Sequence, residues 1–213
     1  MMQVRTDRAG FTREIILSTA ERLFAEQGLF SVSNRQVSEA AGQGNNAAVG
    51  YHFGTKSDLI RAIVQRHAEP MEQLRRQLVF RHDGSQEVRD WAGCLVLPYT
   101  DHLATLGRPS WYARFAAQVM TDPLHRALIV DAATDTPTVR AVIAGFDSCL
   151  PHLPVDARRG RSDMMRNLLV HTCAEQELRL ANGADDPAQA WTATATHLID
   201  AVTGLLLGSS HAS

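Results

Sequence analysis

The stretch from Val32 to Leu59, VSNRQVSEAAGQGNNAAVGYHFGTKSDL, constrains the fold of this chain more than any other. Ser33 with Gln36 has the spacing of a capping box, and Val32 with Val37 makes the matching hydrophobic staple, so a helix starts here. Gly42 supplies the left-handed residue that ends it, and Ala40 and Ala41 are small enough for another helix to cross closely. After Gln43-Gly44, Asn45 or Asn46 is expected to cap a second short helix through Phe53. Gly54-Thr55 breaks that helix, and Thr55 with Asp58 caps a third. Two short helices joined by a glycine-bearing turn and braced by a flanking helix make a helix-turn-helix.

The second helix has an unusual surface. Val49 and Phe53 face the core with Ala48 nearby, which leaves Asn45, Asn46, Ala47, Gly50, Tyr51 and His52 mostly outward. An ordinary solvated helix carries Glu and Lys there. Asn pairs bidentately with adenine edges and Ala meets a thymine methyl, so this acid-free face suits a DNA groove. Lys56 opens the next helix, where a cation opposes the macrodipole, a placement that makes sense if a phosphate arrives there. The expected division of labour follows. Asn45 and Asn46 read bases with help from Arg35 and Gly50, while Ser33, Tyr51, His52, Thr55 and Lys56 hold phosphates.

Residues 12–59 resemble the DNA-binding domain of TetR-family transcriptional regulators. The matching parts, in order, are a leading helix ending in Phe24-Ala25-Glu26-Gln27-Gly28, the SNRQVSEAAG helix and the terminal YHFGTKSDL. Gly50 stands where many members carry a phosphate-binding tyrosine, and Tyr51 follows one residue later. The resemblance implies a ligand-responsive regulator, a repressor that binds a palindromic operator as a homodimer. It also implies an effector cavity within the C-terminal helices and a dimer interface built from the last two.

The expected fold is all-α: an N-terminal three-helix helix-turn-helix domain over residues 1–54, a connecting helix over 55–82, and a larger helical bundle over 83–213, about nine to ten helices in total. Helix one is expected from Thr12 to Gln27 after a flexible arm, with Phe11 and Ile16 as its staple. Pro70 is expected to kink or interrupt the connecting helix. His82-Asp83-Gly84-Ser85 is the clearest boundary. Beyond it a helix runs to Leu106, Pro109 begins another, and Asp122-Pro123, Thr136-Pro137 and Asp186-Pro187 are cap-plus-proline starts. Pro151 to Arg161 reads as a turn-rich connection before a long helix from Ser162, and the final GSSHAS as a disordered tail.

Aromatics concentrate after the boundary. Trp91, Tyr99, Trp111, Tyr112 and Phe115, with Leu95, His102 and His171, are the candidate effector-pocket residues, and the same side chains also suit a plain helical core. Met164, Leu168, Leu178, Leu198, Ile199, Val202 and Leu205 on the last two helices exceed what one small bundle must bury, which points to pairing with a second copy.

Composition excludes more than it assigns. The net charge is −2, so any nucleic-acid footprint is local; residues 1–66 carry eight Lys and Arg against six Asp and Glu, about +2. Cys94, Cys149 and Cys173 form no CxxC pair and read as free thiols of a reducing compartment. MMQVRTDRAGF lacks the apolar run of a signal peptide and no stretch is apolar enough for a bilayer, so the cytoplasm is expected. GxSxG, Walker, HExxH and GxGxxG motifs are absent. His171 and Glu175 share a helix face, but lack further ligands and suit a hydrogen bond better than a metal. Neither an enzyme, a cofactor nor a metal is expected. The competing reading is a helical small-molecule binder or enzyme whose helix-turn-helix no longer reads DNA.

Overall fold

The computed structural model describes residues 3–45, 47–134, 136–183 and 186–208, of which 3–8 and 131–134 are described by backbone alone. Ten helices follow one another without a strand among the described residues. α1 (Gln3–Gln27), α2 (Asn34–Ala40) and α3 (Ala48–Phe53) form the N-terminal unit. α4 (Lys56–Arg81) leads out of it into α5 (Val88–Thr105), α6 (Tyr112–Thr121), α7 (Arg126–Thr134), α8 (Pro137–Cys149), α9 (Val155–Ala181) and α10 (Pro187–Leu207).

Local chemistry explains most of the boundaries. Gly28, Gly42, Gly54, Gly107 and Gly183 all hold positive φ just past a helix end, where any other residue would be strained. Thr136 and Asp186 cap α8 and α10 ahead of Pro137 and Pro187 as expected, their side-chain oxygens accepting from the N–H groups of Val139 and Ala188.

Several expectations are corrected. α1 begins at Gln3 rather than Thr12, because nothing in residues 3–11 forbids helix; Phe11 is exposed instead of stapling. Of the kink or interruption expected at Pro70, the interruption does not occur: α4 is one continuous helix across it, at the cost of one backbone hydrogen bond. Pro109 lies in the connection before α6, which starts at Tyr112, and Asp122 closes a turn that precedes α7 by several residues. Residues 155–161 are the first turns of α9, where Arg158 is tied to Asp147 at 2.6 Å and to the Leu153 carbonyl at 3.0 Å. The last five residues of the chain, most of the expected tail, lie outside the described residues.

One large apolar core runs through both units, from Ile16, Phe24 and Val49 to Trp91, Phe115, Leu198 and Val202, with a smaller cluster of Ala116, Met120 and Val170 beside it. In the larger unit α5 packs against α10, α4 and α8, while α6 lies between α9 and α1. Phe24 of α1 and Phe115 of α6, both fully buried, meet with ring centroids 6.1 Å apart. Burying each such ring stabilises by about 1.5–3 kcal/mol, so the N-terminal unit is fastened to the bundle rather than tethered beside it.

Candidate nucleic-acid interface

The capping box of α2 forms as read: the Gln36 N–H donates to Ser33 Oγ at 3.3 Å, and the Ser33 N–H to Gln36 Oε1 at 2.8 Å. The Ser33 hydroxyl also donates to that oxygen at 2.8 Å, so both of its donors are committed within the box. Thr55 repeats the pattern at the head of α4, its N–H and hydroxyl both donating to Asp58 Oδ2 at 3.1 and 2.6 Å. Asp58 is held below the usual carboxylate range by those bonds and by Arg61.

Ala47, rather than an asparagine, stands at the N-cap of α3. Asn45 instead closes the turn before it, its Oδ1 accepting from the Ala47 N–H at 2.9 Å. Asn46 lies outside the described residues. The missing cap is supplied from the neighbouring helix. Ser38, fully buried on α2, accepts from the Val49 N–H at 3.2 Å and donates to the Asn34 carbonyl at 3.1 Å. One hydroxyl thereby satisfies an orphan donor of α3 and fixes its angle to α2.

The other end of α3 is held from α1. Arg13 donates to the His52 carbonyl at 2.8 Å and lies over the Phe53 ring at 4.1 Å. Between these two anchors Ala48 and Val49 are buried, Gly50 and Tyr51 are exposed and His52 is half-buried. The Tyr51 and His52 rings meet edge to face at 5.1 Å. No acidic side chain sits on α3. Arg35 projects from α2 with its side chain 72% exposed; Nε is held by Glu39 at 2.8 Å, leaving the outer nitrogens of the guanidinium clear of that bond.

Lys56 turns the other way. Its ammonium donates to the Leu29 carbonyl and, at 2.7 Å, to the Val32 carbonyl, and it lies 5.5 Å from the centre of the Phe24 ring. Partial burial lowers its pKa, and the charge of Asp122 works against that shift. In this geometry Lys56 ties the head of α4 to the α1–α2 connection. Neither Ser38, Arg13 nor this use of Lys56 is marked by local pattern; each depends on partners far along the chain.

Of the aromatic cluster, Trp91, Tyr99, Tyr112 and Phe115 are buried and Leu95 half-buried. Trp111 is half-buried at the seam, its indole N–H donating to Glu26 Oε1 at 3.2 Å. His171 is on the exposed side of α9, as is Glu175. Tyr99 and Phe115 pack against Tyr112, and Tyr112 and His102 in turn meet His67 of α4, which no local pattern marks. Its ring stacks on Tyr112 at 3.7 Å. Its Nε2 lies 2.8 Å from Glu21 of α1 and its Nδ1 2.7 Å from His102 Nε2 of α5, with Arg66 completing the ion pair on Glu21. An ionised Glu21 accepts only, so His67 donates through Nε2 and receives the Nε2–H of His102 through Nδ1. Burial, with His67 beside it, pushes His102 down to about 4. Tyr99 Oη is buried with no partner among the described residues.

Comparison with known proteins matches residues 16–63 to the family described as bacterial regulatory proteins, tetR family, and residues 93–204 to the tetracyclin repressor-like C-terminal domain. The HTH-type transcriptional repressor AcnR of Corynebacterium glutamicum is 30% identical over 128 residues, 59% of this chain and 60% of that repressor. The match therefore spans less than two thirds of the relative's own length.

Proposed function

Since the chain belongs to the TetR family of bacterial regulatory proteins, we propose that it is a DNA-binding transcriptional regulator that acts as a homodimeric, ligand-responsive repressor. The observation that carries this reading is the acid-free outer face of α3, pinned at one end by Ser38 and at the other by Arg13. A short helix held so firmly at both ends, with Tyr51 left 85% exposed, serves a surface outside the protein.

In this reading Asn45, Asn46, Gly50 and Arg35 meet base edges, while Tyr51, His52 and the heads of α2 and α4 meet phosphates. Ser33 and Thr55 shape those heads, because their own donors are already used. Lys56 contributes its charge from behind. Residues 1–54 read DNA, 55–82 connect, and 83–213 bind effector and dimerise.

Pairing through α9 and α10 is supported by the exposed Met164, Leu178 and Leu207 and by a shallow hollow lined by Gly160, Met164, Gly204 and Leu205. A two-fold dimer sets two reading helices about 34–36 Å apart, one turn of DNA. In this reading the effector binds at Tyr99, His102, Tyr112 and Phe115, where the buried Tyr99 hydroxyl has no partner among the described residues. The operator being chromosomal, the protein works in the cytoplasm; among the described residues no helix is long and apolar enough to cross a membrane.

A mobility shift against the promoter of the chain's own gene and its neighbours tests the reading. Retardation of one promoter fragment over random DNA, steeply weakened by salt, is the expected result. Asn46→Ala is expected to weaken the cognate fragment alone, and indifference to all DNA at low salt would overturn the function.

A further inference from the structure

Where the α6–α7 connection meets the head of α4, three side chains form a hydrogen-bonded chain. His125 Nδ1 lies 3.0 Å from Asp122 Oδ2, and His125 Nε2 lies 3.0 Å from Ser57 Oγ. Asp122 and His125 are buried and Ser57 is half-buried, so the chain runs from the interior outward. The second oxygen of Asp122 accepts the Leu124 N–H at 2.8 Å, which fixes the carboxylate plane. Burial alone would raise the Asp122 pKa; the bonds from His125 and the Leu124 N–H outweigh it and hold the group below the usual carboxylate range.

Proton positions follow from these contacts. An ionised Asp122 only accepts, so Nδ1 of His125 carries the proton and Nε2 presents a lone pair. The Ser57 hydroxyl must then donate to it. A serine whose proton already points at a base, with the base oriented by a buried carboxylate, is the signature of an activated nucleophile, recognised by geometry and not by position in the sequence.

Two neighbouring features suit an acyl group. The capping box uses the N–H groups of Thr55 and Asp58, leaving those of Lys56 and Ser57 as the leading donors of α4 without an intrahelical partner, available to a developing oxyanion. Leu124, in the same turn as Asp122 and His125, leaves its apolar side chain 79% exposed.

We propose that Ser57 is a covalent modification site, a nucleophile that takes an acyl group from an activated carboxylic ester. Ser57 Oγ attacks the ester carbonyl carbon as its proton passes to His125 Nε2, and the carbonyl π pair moves onto oxygen. The tetrahedral adduct collapses, the bond to the leaving oxygen breaks, and His125 returns its proton to the departing alkoxide or phenoxide. The products are O-acyl-Ser57 and the free alcohol or phenol, with no change of oxidation state. Acylation removes the hydroxyl proton and with it the Ser57 donation to His125, a link between the head of α4 and the α6–α7 connection. That this loosens the hold on DNA rests on the function proposed above; the acylation itself does not.

The full-length protein is incubated with p-nitrophenyl acetate, release of p-nitrophenol is followed optically, and the protein is digested with trypsin. Cleavage after Lys56 and Arg61 isolates residues 57–61, whose only hydroxyl is that of Ser57, while acetylation of Lys56 would block the first cut. The expected result is one acetyl group on that peptide, absent in Ser57→Ala and formed about 100-fold more slowly in Asp122→Asn, which keeps the shape but loses the fixed tautomer. Unchanged melting of both variants separates this loss from misfolding. Promoter retardation is expected to fall in proportion to acetylated Ser57. Acetylated Ser57 in a protein that never retards DNA would sink the regulatory reading and leave the nucleophile standing. A peptide 57–61 that stays unmodified while retardation is normal, or that is labelled at the same rate in Asp122→Asn, overturns the proposal.

Discussion

Gly145 of α8 lies flat against the indole of Trp91 in α5, with no room for a Cβ between the glycine backbone and the ring. The Trp91 N–H is held by the Ser85 carbonyl at 3.0 Å, so the ring cannot step aside without losing a hydrogen bond. Gly145→Ala is therefore expected to destabilise the protein by about 1–3 kcal/mol although alanine favours helix. Urea unfolding should show a lower midpoint at unchanged slope; an unchanged midpoint would mean that α8 can slide.

Tyr99 offers the opposite sign. Its hydroxyl is buried without a partner among the described residues, so Tyr99→Phe removes an unmet donor and keeps the ring. A gain of about 1 kcal/mol in unfolding free energy is expected in ligand-free protein. A loss of the same size would show that the hydroxyl is bonded, by water or by a resident ligand.

Acid should be felt first at His102. Its pKa falls from the ordinary 6.5 to about 4 because of burial and, next, His67. Between those values the unfolded chain binds the proton and the folded one does not, so stability declines as pH drops from about 6.5 toward 4. Glu21, Arg66, His67 and Tyr112 are the charged or titratable groups in contact with the imidazole pair, from α1, α4 and α6. His102→Gln is expected to flatten this limb of a melting-temperature profile, and an unaltered slope would refute the assignment.

Arg13 acts on DNA without touching it in this reading. Loss of its bond to the His52 carbonyl and its stacking on Phe53 should cost about 1 kcal/mol or less of stability, since the side chain is exposed. The expected mark of Arg13→Ala is a weakening of cognate and random DNA by the same factor, with Arg13→Lys failing to restore it because an ammonium cannot stack as a plane. A loss confined to the cognate site would make Arg13 a base reader.

Thiol chemistry should be selective. Burial, then Asp90, pushes Cys94 up to about 11, and burial, then Glu177, raises Cys173 further. Only Cys149 is half-buried, and it is expected to react first with a thiol reagent in the native state. Simultaneous labelling of all three would report global opening.

The turn between α2 and α3 decides how α3 is presented. Folded, that turn is well made: the Gln43 N–H donates to the Ser38 carbonyl at 3.0 Å, and the Gln43 side chain to the Ala41 carbonyl at 3.0 Å. Gln43 is thus a polar residue with a local job, closing the turn through both its backbone and its side chain.

Much of the architecture was legible in order along the chain. The boxes at Ser33 and Thr55, the glycines that end α1, α2 and α3, and the caps before Pro137 and Pro187 stand where their residues put them. Asn45 or Asn46 is the expected cap of α3; Asn45 closes the preceding turn, Asn46 lies outside the described residues, and Ser38 accepts from the Val49 N–H of α3.

A cap, a box or a left-handed glycine is a bargain among residues within four positions of each other, so its outcome is written in the order of the letters. The meeting of Ser57 with His125, 68 residues away, and of His67 with Glu21 and His102, 46 and 35 away, has no such local cause. Those contacts exist because packing Phe24 on Phe115 and α4 on α5 and α7 brings the three elements together, and shape complementarity of buried surfaces, unlike hydrogen-bond reach along a helix, belongs to the assembled molecule alone.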